Sequence, residues 1–210
     1  MSGYKNRRFH YDYAFCKSQK VYFPFMTIFN DTQRWFRPLD VKTIEMFIRG
    51  EEITETPYIR EWSRSVFEGT TQLLTKENIE LVKTGCTLSG CEQSCLNKGL
   101  FLEELGLDAF GIVHSKEGVV VGGAEYLPSL KVPYDIPRDE YTAFLTCLYH
   151  SSEEYDYKSV PLKELENILR SRYKTLLAVT DEVGSFPNGD LKWFLARGYR
   201  DLGVISVEED

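Results

Sequence analysis

The chain of 210 residues predicts an α/β (α+β) fold, a mixed, mainly antiparallel sheet flanked by helices, behind an aromatic-rich N-terminal extension. Three observations carry this prediction. Two β-rich runs, Ala109–Ser115 and Val119–Tyr126, are separated by Lys-Glu-Gly and read as a hairpin. Tyr141–Tyr149 is apolar almost throughout, as in a strand covered on both faces. A helix starting at Pro161 precedes another buried strand, Tyr173–Thr180.

The remaining elements follow in order. Lys20–Phe29 is β-rich, and Pro24 argues for an edge position. Asn30-Asp31 signals a turn. Asp40 caps a short helix, Val41–Arg49, closed by Gly50, with Val41, Ile44, Phe47 and Ile48 on its apolar face. Thr56, with Pro57 at the first helical position, opens a helix through Ile59, Trp62, Val66 and Phe67 to Gly69. Thr71–Val82 reads either as a capped turn or as a strand. Cys91–Glu104 is a helix weakened at Gly99. Pro128, Pro133 and Pro137 make residues 128–138 a loop. The helix from Pro161 places Leu162, Leu165, Ile168 and Leu169 on one face. Asp190–Arg197 is a short helix stopped by Gly198, and Asp201–Val207 is the last strand. Residues 1–70 thus form an extension packed on the core, and residues 71–210 the main domain.

Composition narrows the function classes. A chain this long buries about 70% of its unfolded surface, so neither disulfide nor metal is needed for stability. No apolar run approaches ~20 residues, which excludes a transmembrane helix. The polar, basic start lacks the apolar core of a secretory signal, and five cysteines, an odd number, favour reduced thiols in a cytoplasm. Residues 1–50 hold nine Lys/Arg against four Asp/Glu, and twelve of the 29 aromatic residues. Those 50 residues carry a net +5 and the rest of the chain −12, which together give the overall −7. Such an arm suits packing on the acidic body or on a second subunit, as in a homodimer. A sequence pI near 5.2 argues against a nucleic-acid partner.

Three motifs occur in order: Gly122-Gly-Ala-Glu-Tyr-Leu-Pro128, Ala143-Phe-Leu-Thr-Cys-Leu-Tyr149, and Trp193-Phe-Leu-Ala-Arg-Gly-Tyr-Arg200. Their order and spacing resemble the GNAT-type acyl-CoA N-acyltransferases, in particular a branch that includes YoaP-like acetyltransferase domains. The resemblance covers about residues 86–207. It implies base-assisted thioester chemistry in which acetyl-CoA gives its acetyl group to an amine, here an unidentified small molecule or peptide. It also implies a slot between the fourth and fifth strands of such a domain. The pantetheine arm lies there against strand backbone, and the pyrophosphate sits at the start of the following helix. Carried over residue by residue, the coenzyme would meet Cys147, Leu148, Tyr149, His150, Ser151, Ser152, Lys158 and Ser159.

The loop His150–Val160 departs from the family pattern. Members use a glycine-containing Arg/Gln-x-x-Gly-x-Gly/Ala loop so that backbone approaches phosphate closely. Here the loop holds no glycine, Glu153, Glu154 and Asp156 oppose Lys158, and Pro161 removes one N–H donor. Each carboxylate within ~5 Å of a phosphate costs on the order of 1 kcal/mol or more at an effective dielectric near 20. Phosphates would have to rest on Ser151, Ser152, Ser159 or Lys158.

Direct acetyl transfer needs a base for the amine, donors for the thioester carbonyl and an acid for the leaving thiolate. Glu125 is the candidate base. Tyr149 is the second catalytic candidate, ending the strand beside His150. The plain alternatives are an exposed strand glutamate at 125, a structural tyrosine at 149 and a buried free thiol at 147. Cys86-x4-Cys91-x3-Cys95 is a further cluster. Its spacing is not the C-x2-C of common zinc sites, although Cys91 and Cys95 share a helical face. Inert thiols, a redox pair or a metal site all remain open, with no metal expected. The sequence thus supports three readings: an N-acetyltransferase, a non-catalytic binding or dimerisation protein with a lost coenzyme site, and a thiol- or metal-responsive protein.

Overall fold

The structure, a computed structural model, describes residues 13–21, 27–29, 33–35, 39–51, 63–82, 92–150, 154–182, 184 and 188–205. The Asn30-Asp31 turn, the first part of the helix predicted from Thr56, Cys86, Cys91, Ser151 and Ser152 lie outside the described residues.

Helix α1 (Tyr13–Ser18), strands β1 (Thr27–Phe29) and β2 (Gln33–Trp35), and helix α2 (Val41–Ile48) come first. The two strands pair antiparallel, with Thr27 opposite Trp35. Asp40 caps α2 by accepting from Thr43 N at 2.7 Å, as a side chain that removes one orphan donor should. Helix α1 rests on the proline loop. Tyr13 Oη donates to Asp135 at 3.2 Å, Lys17 pairs with the same carboxylate at 3.4 Å, and Cys16 is buried.

The main sheet follows: β3 (Thr70–Leu74), helix α3 (Glu92–Glu104), β4 (Gly111–Lys116), β5 (Val119–Pro128), β6 (Thr142–His150), helix α4 (Ser159–Leu169), β7 (Thr175–Ala178) and helix α5 (Leu191–Leu195). Its strand order is β3-β4-β5-β6-β7, antiparallel throughout except for the parallel pair β6–β7. The sheet is therefore mixed and mainly antiparallel, with helices on both faces, as the hydrophobic patterning predicts. Glu117 (φ 51°) and Gly118 (φ 82°) form the two-residue turn between β4 and β5. Positive φ at both positions matches the twist of a hairpin. Residues 71–82, which read two ways in sequence, are both things in turn. A strand ends at Leu74, and Thr75 with Asn78 caps the 3-10 turn Lys76–Leu81.

Two expectations are corrected. Residues 63–69 are not helical. Val66 bridges Asp156, and Phe67 packs against His114, Tyr155 and Tyr157. Contacts with β4 and the β6–α4 loop use these apolar residues in extended form, overriding local helical periodicity. Residues 201–205 form no strand. Leu202 and Val204 are exposed there, and β-propensity without a partner edge does not make a ladder.

Two cores flank the sheet. On one face Ile112, Ala124, Tyr126, Ala143, Leu145 and Leu148 meet Leu162, Leu165 and Leu169 of α4 and Phe194 of α5. On the other, Leu74, Val113, Val120 and Tyr149 meet Leu102, Leu105 and Phe110. The glycine pair of β5 fits the backbone and rings that cross it. A β-carbon on Gly122 would overlap the Tyr157 carbonyl, and one on Gly123 the Tyr149 ring. Gly122→Ala is accordingly expected to cost about 2 kcal/mol in urea unfolding, because the obstacle is backbone and not a flexible side chain.

Candidate functional site

The site is built where β6 and β7 part. Their ladder runs from Thr142 opposite Thr175 to Leu145 opposite Ala178 and then ends. Past that point one buried amide bridges the two strands. Asn188 Oδ1 accepts from Leu148 N at 3.0 Å, and Asn188 Nδ2 donates to Val179 O at 3.1 Å. A buried backbone donor needs a partner, and here the chain's own side chain supplies it.

Lys158 closes the wedge from the helix side. Its Nζ donates to Asn188 O at 2.9 Å, and the residue is 4% exposed. Burial pulls the ammonium down to about 8, against the opposing pull of Cys147, Asp156 and Asp190. The sign follows from linkage: a lysine depressed in the fold is uncharged there while still protonated in the unfolded chain. This group therefore adds stability as pH rises from about 8 toward 10.5, by up to about 3 kcal/mol. Urea unfolding at roughly pH 7.5 and roughly pH 9.5 should show that rise relative to Lys158→Met, which lacks it. Parallel pH profiles for the two proteins would exclude it.

The start of α4 holds an anion already. The Asp156 carboxylate, 4% exposed, accepts from Lys158 N at 3.1 Å, Ser159 N at 3.0 Å, the Ser159 hydroxyl and Arg197 Nη2 at 2.7 Å. Arg197 also donates to Ser159 Oγ and stacks over Trp193, with its guanidinium carbon 3.4 Å from the ring centroid. Burial lowers the Arg197 pKa, and Asp156 opposes that shift. Asp156 is itself held in place, since its N–H donates to Ser65 O at 2.9 Å. Two helix-start amides, a hydroxyl and a guanidinium thus converge on one carboxylate, the arrangement a helix N-terminus favours for negative charge.

A second charged group sits on the opposite face. Glu125 lies directly across the β5–β6 ladder from Cys147, so the two side chains share a face. It is 4% exposed and not a surface glutamate. Lys98 Nζ of α3 donates to Glu125 Oε2, and the same ammonium lies 5.7 Å from the Phe110 ring centroid. Neighbouring strands stand about 5 Å apart. Glu125 is therefore one strand in from the edge at which β6 leaves β7.

The structure places the sequence candidates on three levels. Glu125, Cys147 and Tyr149 share the α3 side of the sheet, with Tyr149 buried over Gly123. Leu148 points into the α4 core, and His150 ends β6 opposite Gly122. Lys158 and Ser159 are engaged with Asn188 and with Asp156 and Arg197, respectively. Five residues of this arrangement are absent from the sequence-predicted site. Asp156 carried a signal, an Asx residue just ahead of a helix start. Trp193 and Arg197, four apart, carried another. Asn188 and Lys98 carried none, because only the fold brings them to the strand edge and to Glu125.

No group of three or more His, Cys, Asp or Glu among the described residues is placed to hold a metal. The Cys95 side chain, like Cys86 and Cys91, lies outside the described residues. No helix among the described residues is long and apolar enough to cross a membrane.

Comparison with known proteins gives a limited result. No family model matches the chain, and no curated protein matches it. Among solved structures it is similar to AAC(6')-Iy in complex with the bisubstrate analog CoA-S-monomethyl-acetylneamine. The identity is 14%, the match covers 67% of this chain and 97% of that chain, and the TM-score is 0.48.

Proposed function

We propose that the chain is a GNAT-type N-acetyltransferase that moves an acetyl group from acetyl-CoA to an amine, with Glu125 as base. The observation that carries this reading is the buried carboxylate of Glu125, holding an amine nitrogen beside the point where β6 and β7 separate. Three motifs in family order, on a sheet whose last two strands splay, support it. The YoaP-like branch rests on those motifs alone.

The donors at the start of α4 fit phosphate oxygens. Lys158 N, Ser159 N, the Ser159 hydroxyl and Arg197 already hold a carboxylate, which stands in for one. Leu148 N, satisfied by a side-chain amide, is matched to an amide carbonyl such as pantetheine carries. Acetyl-CoA, when bound, would supply the activated acyl group. Glu125 would accept a proton from the amine, and the hydrophobic surroundings of Tyr149 would keep water from the thioester.

Asp156 and Asn188 hold the same donors and compete with the coenzyme for them. That observation favours a second reading, a non-catalytic protein of the same fold that binds or dimerises with its coenzyme site closed. Calorimetric titration with acetyl-CoA, paired with release of free thiol in the presence of an amine panel, separates the two. Binding below about 100 μM, equivalent to roughly 5.5 kcal/mol, with thiol release supports the enzyme. No heat and no thiol would leave the non-catalytic reading.

A further inference from the structure

We infer that Lys98 is an acetylation site of the protein's own chemistry, the first amine its cleft acylates. The inference rests on the acetyltransferase reading. Three observations point to it. The Lys98 ammonium is bound to the carboxylate that reading makes the base. That carboxylate is 5% exposed and Lys98 34%, so the amine lies at the mouth of the site with its nitrogen turned inward. Glu125 faces Cys147, and β6 at Cys147 has already passed the last rung of its ladder with β7. An acyl thioester lying in the opening would be between one and two strand spacings, roughly 5–10 Å, from the strand that carries Glu125, with β6 between them.

The step balances without an oxidant. Glu125 takes one proton from the Lys98 ammonium. The freed nitrogen lone pair forms a C–N bond to the thioester carbonyl carbon, and the C–S bond breaks. The thiolate leaves with that electron pair and takes up the second amine proton. The products are N-acetyl-Lys98 and a free thiol. The product side chain is neutral, so α3 loses its charged tie to the sheet at Glu125, and modification loosens α3.

The test is acetylation of the folded wild-type chain by acetyl-CoA, followed by peptide mass mapping over time. Lys98 should be modified at least about tenfold faster than exposed Lys163. The ratio should fall to near unity when the wild type is unfolded in urea, and likewise in Glu125→Gln. Independently of turnover, protein acetylated at Lys98 should melt lower, on the order of 5 °C. Acetyl-CoA binding in calorimetry with Lys98 no faster than Lys163 overturns this inference and leaves the enzyme reading standing. An equal Lys98 rate in Glu125→Gln likewise assigns the reaction to background chemistry. No binding and no acetylation above background overturn both.

Discussion

Asp156→Ala is expected to lower the stability of the fold by about 3 kcal/mol. The carboxylate is almost fully buried and serves two backbone amides, one hydroxyl and a guanidinium. Its loss leaves two helix-start donors uncapped, worth about 1 kcal/mol. It also leaves Arg197 without its ionic partner. That pair contributes less than a fully buried one, since the Arg197 side chain is 28% exposed. Asp156→Asn keeps an acceptor in the same place and removes the charge. Acetyl-CoA should then bind about tenfold tighter or better, because a carboxylate within ~5 Å of a phosphate costs on the order of 1–3 kcal/mol at an effective dielectric near 20. Urea unfolding and calorimetry read the two effects separately. Unchanged affinity in the asparagine variant would show that coenzyme phosphates do not use these donors.

Glu125→Gln should reduce acetyl transfer by about 10²–10⁴-fold while leaving acetyl-CoA affinity within a small factor of wild type. The amide cannot take a proton from an amine, whereas the donors around Ser159 are on another element of the fold. Thiol release under saturating acetyl-CoA measures the first effect and calorimetry the second. Circular dichroism of the variant shows whether the fold survives, since Lys98 loses its carboxylate partner at 125. A folded variant with wild-type turnover would remove Glu125 from the chemistry.

Much of the sheet was legible because its signals are local. The Glu117-Gly118 turn, the apolar run of β6 and the Asp190 cap, which accepts from Trp193 N at 2.8 Å, act within a few residues. The absence of glycine from the β6–α4 loop is also plain in the sequence. In sequence the loop's acidity signals repulsion of a phosphate, whereas in the fold Asp156 is turned inward and accepts from the amides at the start of α4. That difference depends on Ser65 and Arg197, distant in sequence and brought to Asp156 only by the fold. The extended course of residues 63–69 is hidden for the same reason, since Val66 and Phe67 continue the helical spacing of Ile59 and Trp62 and find their partners on the loop and β4. Asn188 is the clearest case. Nothing around it predicts that its amide would replace a missing rung between two strands.

The strand order β3-β4-β5-β6-β7 repeats the order of the chain, and this shapes how the molecule assembles in time. Closing a short loop costs less entropy than closing a long one. The β4–β5 hairpin, joined by two residues, therefore forms early, and β6 adds to it across the proline loop. The outer strands arrive last, β3 across residues 75–110 and β7 across residues 151–174. The β6–β7 ladder, with four residue pairs, is the shortest of the main sheet, so it is the seam of that sheet that opens most readily by local unfolding. Amide hydrogens of β7 should exchange ahead of those in β5. The β6–β7 seam is then among the late contacts of the sheet to close and the first of them to reopen, without melting the hairpin core.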